Sequence, residues 1–372
     1  SVEIDRSASR GHDRSNPRRR RPCASGSDQE FLPHARDLLL WLVTRLEPFP
    51  DSRDLEHTET MSTRRRMLIG LITACSIMFG LAGAGWWYTF IAGAPQFDVA
   101  EVPASNDLTF RLESFESTAM GLRRSYGLIL PPGYDQEPTR RYPVIVLLHG
   151  GHDDGRAFFD KYAITETLDR LYRSGALSPS IIVTPDGNDA RGSSPLFDPD
   201  YYDGPNGRVG TLIGQELVAV VKHRYRARHE PGQWALGGFS SGGWGALNIG
   251  LRHPATFQTL FSHDGYFVDA SGPANSPNQF ISRMSKAQLA PLRIYLDVGR
   301  SDHNFLRSTE QFHATLDRLR VANTMHVFPG GHGLSGADVG WNYIRKHLTD
   351  SLTFVGSSFA ANDRKGAGEV QP

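Results

Sequence analysis

A chain of 372 residues has room for one large domain or two of average size, and its 40 basic residues balance 40 acidic ones, so no global field draws it to nucleic acid or to an anionic surface. Its two cysteines, Cys23 and Cys75, both precede residue 95, which excludes a disulfide framework, a cysteine metal site and a thiol nucleophile from everything beyond.

Residues 1–60 are polar and arginine-rich, with a run at Arg18–Arg21. That composition predicts a disordered extension rather than a nucleic-acid or lipid contact. The first methionine is Met61, so the alternative expectation is a natural start there, with 1–60 an over-extended beginning. Arg64–Arg66 then precede an apolar run from Met67 to about Ala94. Basic residues before a stretch longer than the roughly 20 residues that cross a bilayer predict a signal peptide or membrane anchor over 61–94. Ala82–Ala84 offer a small-x-small cleavage site, Trp86, Trp87 and Tyr88 would suit an interface, and the arginines resemble a twin-arginine signal. We favour the anchor. The positive-inside rule puts the remainder outside the cytoplasm, membrane-anchored or secreted.

Residues 95–354 are predicted to form one catalytic domain. The segments "DLTFRLESF" and "RRSYGLIL" alternate like antiparallel strands, whereas "YPVIVLLHG" (142–150) is continuously apolar, as a strand covered on both faces requires. Runs of the same kind recur at 180–187, 233–240, 257–265, 292–299 and 324–331. Between them lie helical spacings such as Ile213, Leu217, Val220, Val221 and Arg224. Strand alternating with helix predicts a mostly parallel α/β sheet with helices on both faces and active residues at the carboxyl ends of its strands. The polar tail over 355–372 is expected to be disordered.

"LGGFSSGGWG" at 236–245 falls between a strand and a helix, and Gly238-Phe239-Ser240-Ser241-Gly242 matches G-x-S-x-G. A nucleophile on so sharp a bend needs neighbours without side chains two places before and after it. Ser240 is therefore the expected nucleophile, with Ser241 donating only its backbone N–H. Serine needs a base, and the base an orienting acid. His332 is the histidine that follows the last strand, in the glycine-rich "FPGGHGLS". Of the two aspartates in "YLDVGRSDHN", Asp302 lies past the strand end and is preferred over Asp297, which sits within it. The oxyanion of a tetrahedral intermediate needs two N–H donors, here Ser241 and the loop "HGGHDDG", where Gly151 is the first choice. His152 either lines the pocket or serves the loop. Tyr201 and Tyr202 either stack on an acyl or aromatic group or belong to a packed loop.

These segments, together with "RRSYGLILPPGYD", "GGFSSGGWGALNIGLRHPATF", "LDVGRSDHN" and "GGHGLSGADVGWNYI", resemble the Putative esterase family, which includes esterase D and S-formylglutathione hydrolases, feruloyl and enterochelin esterases and mycolyltransferases. The resemblance covers about residues 107–350. It implies an α/β-hydrolase fold working without a metal or organic cofactor, with Ser240 as nucleophile, Asp302 as acid, His332 as base, and Gly151 and Ser241 as oxyanion donors. It also implies a small-molecule, lipid or carbohydrate ester as substrate. S-formylglutathione hydrolases usually carry Met where this chain has Ser241, and mycolyltransferases use a glutamate acid. The expectation is an exported serine carboxylesterase of feruloyl or enterochelin-esterase type, reached through an acyl-enzyme. The alternatives are acyl transfer of mycolyltransferase type and a non-catalytic binding module on the same fold.

Overall fold

The structure is a computed structural model and describes residues 63–87, 108–193, 198–333 and 338–368. The expected extension over 1–60, the later part of the expected anchor (88–94) and residues 369–372 lie outside the described residues. Helix α1 (Thr63–Trp87) is apolar on all faces: Met67, Leu71, Met78, Phe79 and Leu81 are all exposed. Its mean hydropathy reaches 2.0 over Arg65–Trp87. At 1.5 Å per residue such a helix is long enough to cross a hydrocarbon layer of about 30 Å.

The body of the molecule is built on an eight-stranded sheet. Its strands are β1 (Phe110–Ser117), β2 (Leu122–Ile129), β3 (Val144–Leu148) and β4 (Ile181–Pro185), then β5 (Trp234–Phe239), β6 (Thr259–His263), β7 (Arg293–Gly299) and β8 (Ala322–Phe328). Their order across the sheet is β1-β2-β4-β3-β5-β6-β7-β8. β1 and β2 form an antiparallel hairpin, β2 joins β4 antiparallel, and every pairing from β4 to β8 is parallel. The division follows the patterning: β3, β4, β5 and β6 are buried at every residue, whereas β1 is mostly half-buried or exposed.

Period-two alternation sends side chains to two cores. On one face Val144, Val146, Leu148, Leu236, Leu260 and Ile294 pack with three helices. These are α3 (a π-helical turn, Leu212–Leu217, running into Val218–Arg224), α4 (Ser241–Gly250) and α5 (His303–Arg318). On the other face Ile145, Leu147, Ala235 and Phe261 meet α2 (Ile164–Ser174) and α6 (Trp341–Gly368). The parallel strands all end at the same edge of the sheet, so the loops after β3, β5, β6, β7 and β8 open together there.

The expectation of a disordered tail from residue 355 is corrected for residues 355–368, which continue α6. Ile344, Leu348, Leu352, Val355 and Phe359 sit three and four residues apart and are all buried against the sheet. Farther along, the Asn362 amide donates to the Gly232 carbonyl at 2.8 Å and Asp363 pairs with Arg228 at 2.7 Å. Gly356 and Ser358, two of the small residues that suggested disorder, are themselves buried.

Candidate active site

Ser240 joins β5 to α4 with φ 57° and ψ −122°, a left-handed backbone that a serine adopts only under constraint, at a cost of about 1–3 kcal/mol. The constraint is visible. Ser240 N–H donates to the His263 carbonyl at 2.9 Å, and its own carbonyl accepts from Trp244 N–H at 3.1 Å. A Cβ on Gly238 would lie 2.5 Å from the Gly242 carbonyl, and one on Gly242 would lie 2.1 Å from the Leu148 carbonyl. Both glycines of the G-x-S-x-G pattern are therefore required by backbone contact.

The bend carries Ser240 to a cavity of about 230 Å³, lined among others by Gly151, His152, Asp198, Ser240, His332 and Trp341. His332, from the loop after β8, places Nδ1 2.7 Å from Asp302 Oδ2, and its backbone N–H donates to the same oxygen at 2.7 Å. The imidazole is stacked between Phe239 and Phe305, with centroids 5.1 and 4.5 Å away. Ring plane and tilt are thus fixed before any substrate arrives. Nε2 has no hydrogen-bond partner among the described residues. It and the Ser240 hydroxyl belong to one cavity without a hydrogen bond between them, a contact that in many enzymes tightens only in the substrate complex.

The ionisable groups support a basic imidazole. Burial works against the charged form of His332; the Asp302 hydrogen bond is the strongest opposing cause, and the pKa stands above the ordinary histidine value. Burial likewise opposes ionisation of Asp302, and the hydrogen bonds and charge of His332 prevail, holding its pKa below the ordinary carboxylate range. Asp264 behaves in the opposite way: burial pushes its pKa up to about 7, against the pull of His332.

The preference for Asp302 over Asp297 matches the geometry. Asp297 faces other groups: its Oδ2 lies 2.7 Å from His263 Nδ1 and its Oδ1 accepts from the Tyr343 hydroxyl at 3.0 Å, while His263 Nε2 meets Ser351 Oγ at 2.8 Å. That network is buried and distant from solvent. Gly151 lines the cavity, and a Cβ there would strike the Asp198 carboxylate at 1.9 Å. Ser241 is buried at the start of α4, its N–H among those the helix leaves unpaired. His152 also lines the cavity, with φ 65°.

Of the two readings of Tyr201 and Tyr202, stacking on a substrate group or belonging to a packed loop, the geometry agrees with the second. Neither lines the Ser240 cavity; both line a separate cavity of about 690 Å³. Tyr201 is fully buried, and its hydroxyl donates to the His149 carbonyl at 2.8 Å, bracing the loop that carries Gly151. Sequence reasoning also missed Asp198 and Asp264. Asp264 follows the end of β6 directly, so the strand-end rule that selected Asp302 would have found it; Asp198 lies in a loop with no such signal.

The family described as Putative esterase matches residues 117–353. The chain belongs to this family. The matched stretch is an esterase domain of the α/β-hydrolase type. Among curated relatives, Esterase Rv1288 of Mycobacterium tuberculosis is 32% identical over 275 residues, covering 61% of this chain and 56% of that protein. An uncharacterized protein of Corynebacterium glutamicum, Cgl0967/cg1104, is 27% identical over 180 residues, 48% of this chain and 39% of its own length. The chain thus spans about half or less of these two relatives. Of solved structures, a ferulic acid esterase superposes with a TM-score of 0.61 at 24% identity, covering 68% of this chain and 99% of that one. The ferulic acid esterase AmCE1/Fae1A of Anaeromyces mucronatus gives 0.55 at 18% identity, covering 69% and 94%. At such identities the likeness establishes the fold.

Proposed function

We propose that the protein is an exported serine carboxylesterase that hydrolyses an acyl ester through a covalent acyl-enzyme. The observation that carries this reading is the strained Ser240 at the mouth of β5, sharing its cavity with an imidazole whose Nδ1 is 2.7 Å from Asp302. In the proposed reaction Ser240 Oγ attacks the ester carbonyl while His332 Nε2 takes its proton. Asp302 keeps the Nδ1 proton in place and stabilises the imidazolium that forms. The Gly151 and Ser241 N–H groups receive the developing oxyanion, and α4 adds its positive N-terminal end. Collapse expels the alcohol, which leaves with the proton from His332. A water, deprotonated by the same nitrogen, then releases the acid and restores Ser240.

The ferulic acid esterases among the structural neighbours suggest an aromatic acyl group, and the presence of Phe239, Tyr162 and Trp341 around the cavity suits one. Export is supported by α1, whose length and all-round apolarity fit a membrane anchor or signal segment. The test is hydrolysis of p-nitrophenyl esters of graded chain length beside feruloyl esters. Ser240→Ala should lose at least about a thousandfold in kcat; a variant that keeps its activity would refute the nucleophile. Adding sugar or lipid acceptors separates hydrolysis from transfer, since only a transferase forms a new ester.

A further inference from the structure

Asp264 stands at the carboxyl end of β6, wholly buried and in the left-handed region at φ 46°. Its backbone N–H donates to the Asp297 carbonyl at 2.9 Å, and its Oδ1 accepts from Gly299 N–H at 2.6 Å. Those two bonds hold the side chain in one orientation and leave Oδ2 facing the catalytic pair. Oδ2 is 3.9 Å from His332 Nδ1, and oxygens of Asp264 and Asp302 with that nitrogen all lie within 4.8 Å of one another. No N–H or hydroxyl among the described residues reaches Oδ2. A buried carboxylate oxygen without a donor, facing a second carboxylate, is costly; a proton on that oxygen removes the cost and supplies a hydrogen bond to Asp302.

We propose that Asp264 is a positioning residue of this site: a neutral carboxylic acid whose Oδ2–H donates to Asp302, so that one negative charge rather than two faces His332. The inference rests on the reading of Asp302 and His332 as acid and base. Groups packed around Asp264 favour the neutral form. Asp302 and Asp297 both oppose a further negative charge, Tyr343 from α6 carries none, and His263 beside it is already committed to Asp297. His332 and the Gly299 N–H pull the other way, but less than burial does, and Asp302 already claims the His332 Nδ1 proton. The upward displacement of the Asp264 pKa, caused first by burial, agrees with the geometry.

The experiment joins infrared spectroscopy to two substitutions. Asp264→Asn preserves an acceptor for Gly299 and a neutral donor for Asp302, and asparagine tolerates the left-handed backbone. Asp264→Gly keeps the backbone without strain and removes both. At about pH 6 the wild-type protein should show the carbonyl stretch of a buried protonated carboxyl, and Asp264→Asn should abolish that band. Asp264→Asn should retain kcat/KM within about threefold, whereas Asp264→Gly should lose about tenfold to a hundredfold, the range for a hydrogen bond to a charged group. Absence of the band, equal impairment of both variants, or full activity in Asp264→Gly would each overturn the proposal. The infrared arm needs no substrate, so an error in the nucleophile assignment, revealed by an active Ser240→Ala, leaves it readable.

Discussion

At the scale of single residues, the proposed chemistry depends on holding one imidazole still and basic. The Phe239–His332–Phe305 stack and the 2.7 Å contact with Asp302 do this together. Replacing Asp302 by Asn keeps the shape but presents an amide to Nδ1, so kcat should fall by on the order of 10⁴-fold, the scale seen when a triad acid is neutralised. Asp297→Asn should instead act on stability, because its partners His263 and Tyr343 are buried structural groups. A larger loss of kcat in Asp297→Asn than in Asp302→Asn, with both folded, would reverse the assignment. The base must be neutral to accept a proton, and His332 is held above the ordinary histidine value of about 6.5. kcat/KM should therefore rise with pH through a midpoint above about 6.5. That midpoint should fall in Asp302→Asn, since the anion favouring the imidazolium is gone; NMR titration of the His332 ring in a Ser240→Ala background checks it. The residues legible at this scale were those tied to strand ends. Tyr201 and Tyr202 were not, since their spacing from the site says nothing about which of two cavities a loop folds toward.

At the scale of elements, two contacts decide whether the site forms. Gly242 sits under the crossing of α4 and β3, and Gly242→Ala would drive a Cβ to 2.1 Å from the Leu148 carbonyl. The strand-to-helix bend must then open. We expect a loss of at least about 2 kcal/mol in chemical denaturation, comparable to overpacking a core, together with reduced activity as Ser240 is displaced. The second contact is α6. Truncation after residue 354 removes Val355 and Phe359, both buried, each worth about 1.5–3 kcal/mol of apolar burial. The truncated protein should melt earlier; an unchanged melting temperature would restore the reading of this segment as a dispensable tail. The central strands were readable because a strand covered on both faces has to be apolar throughout. The last turns of α6 were not, because their spacing is apolar on one face while their composition is that of a linker.

At the scale of the whole molecule, α1 and the catalytic body make separable predictions. A chain lacking residues through 87 should keep esterase activity and appear in the soluble fraction, while the full chain partitions with membranes or is processed. Equal distribution of the two would remove the anchor reading. By itself the order of motifs determined that a strand, a glycine-bounded serine, a later aspartate and a final glycine-rich histidine occur in the chain order of an α/β-hydrolase, since each reflects a local backbone or burial demand. Only the tertiary structure decided which tyrosines face away and that Asp264 lies against the acid and base at Oδ2. Those facts depend on distances between loops from different strands, and such distances are set by the twist and order of the sheet rather than by any neighbouring residue in the chain.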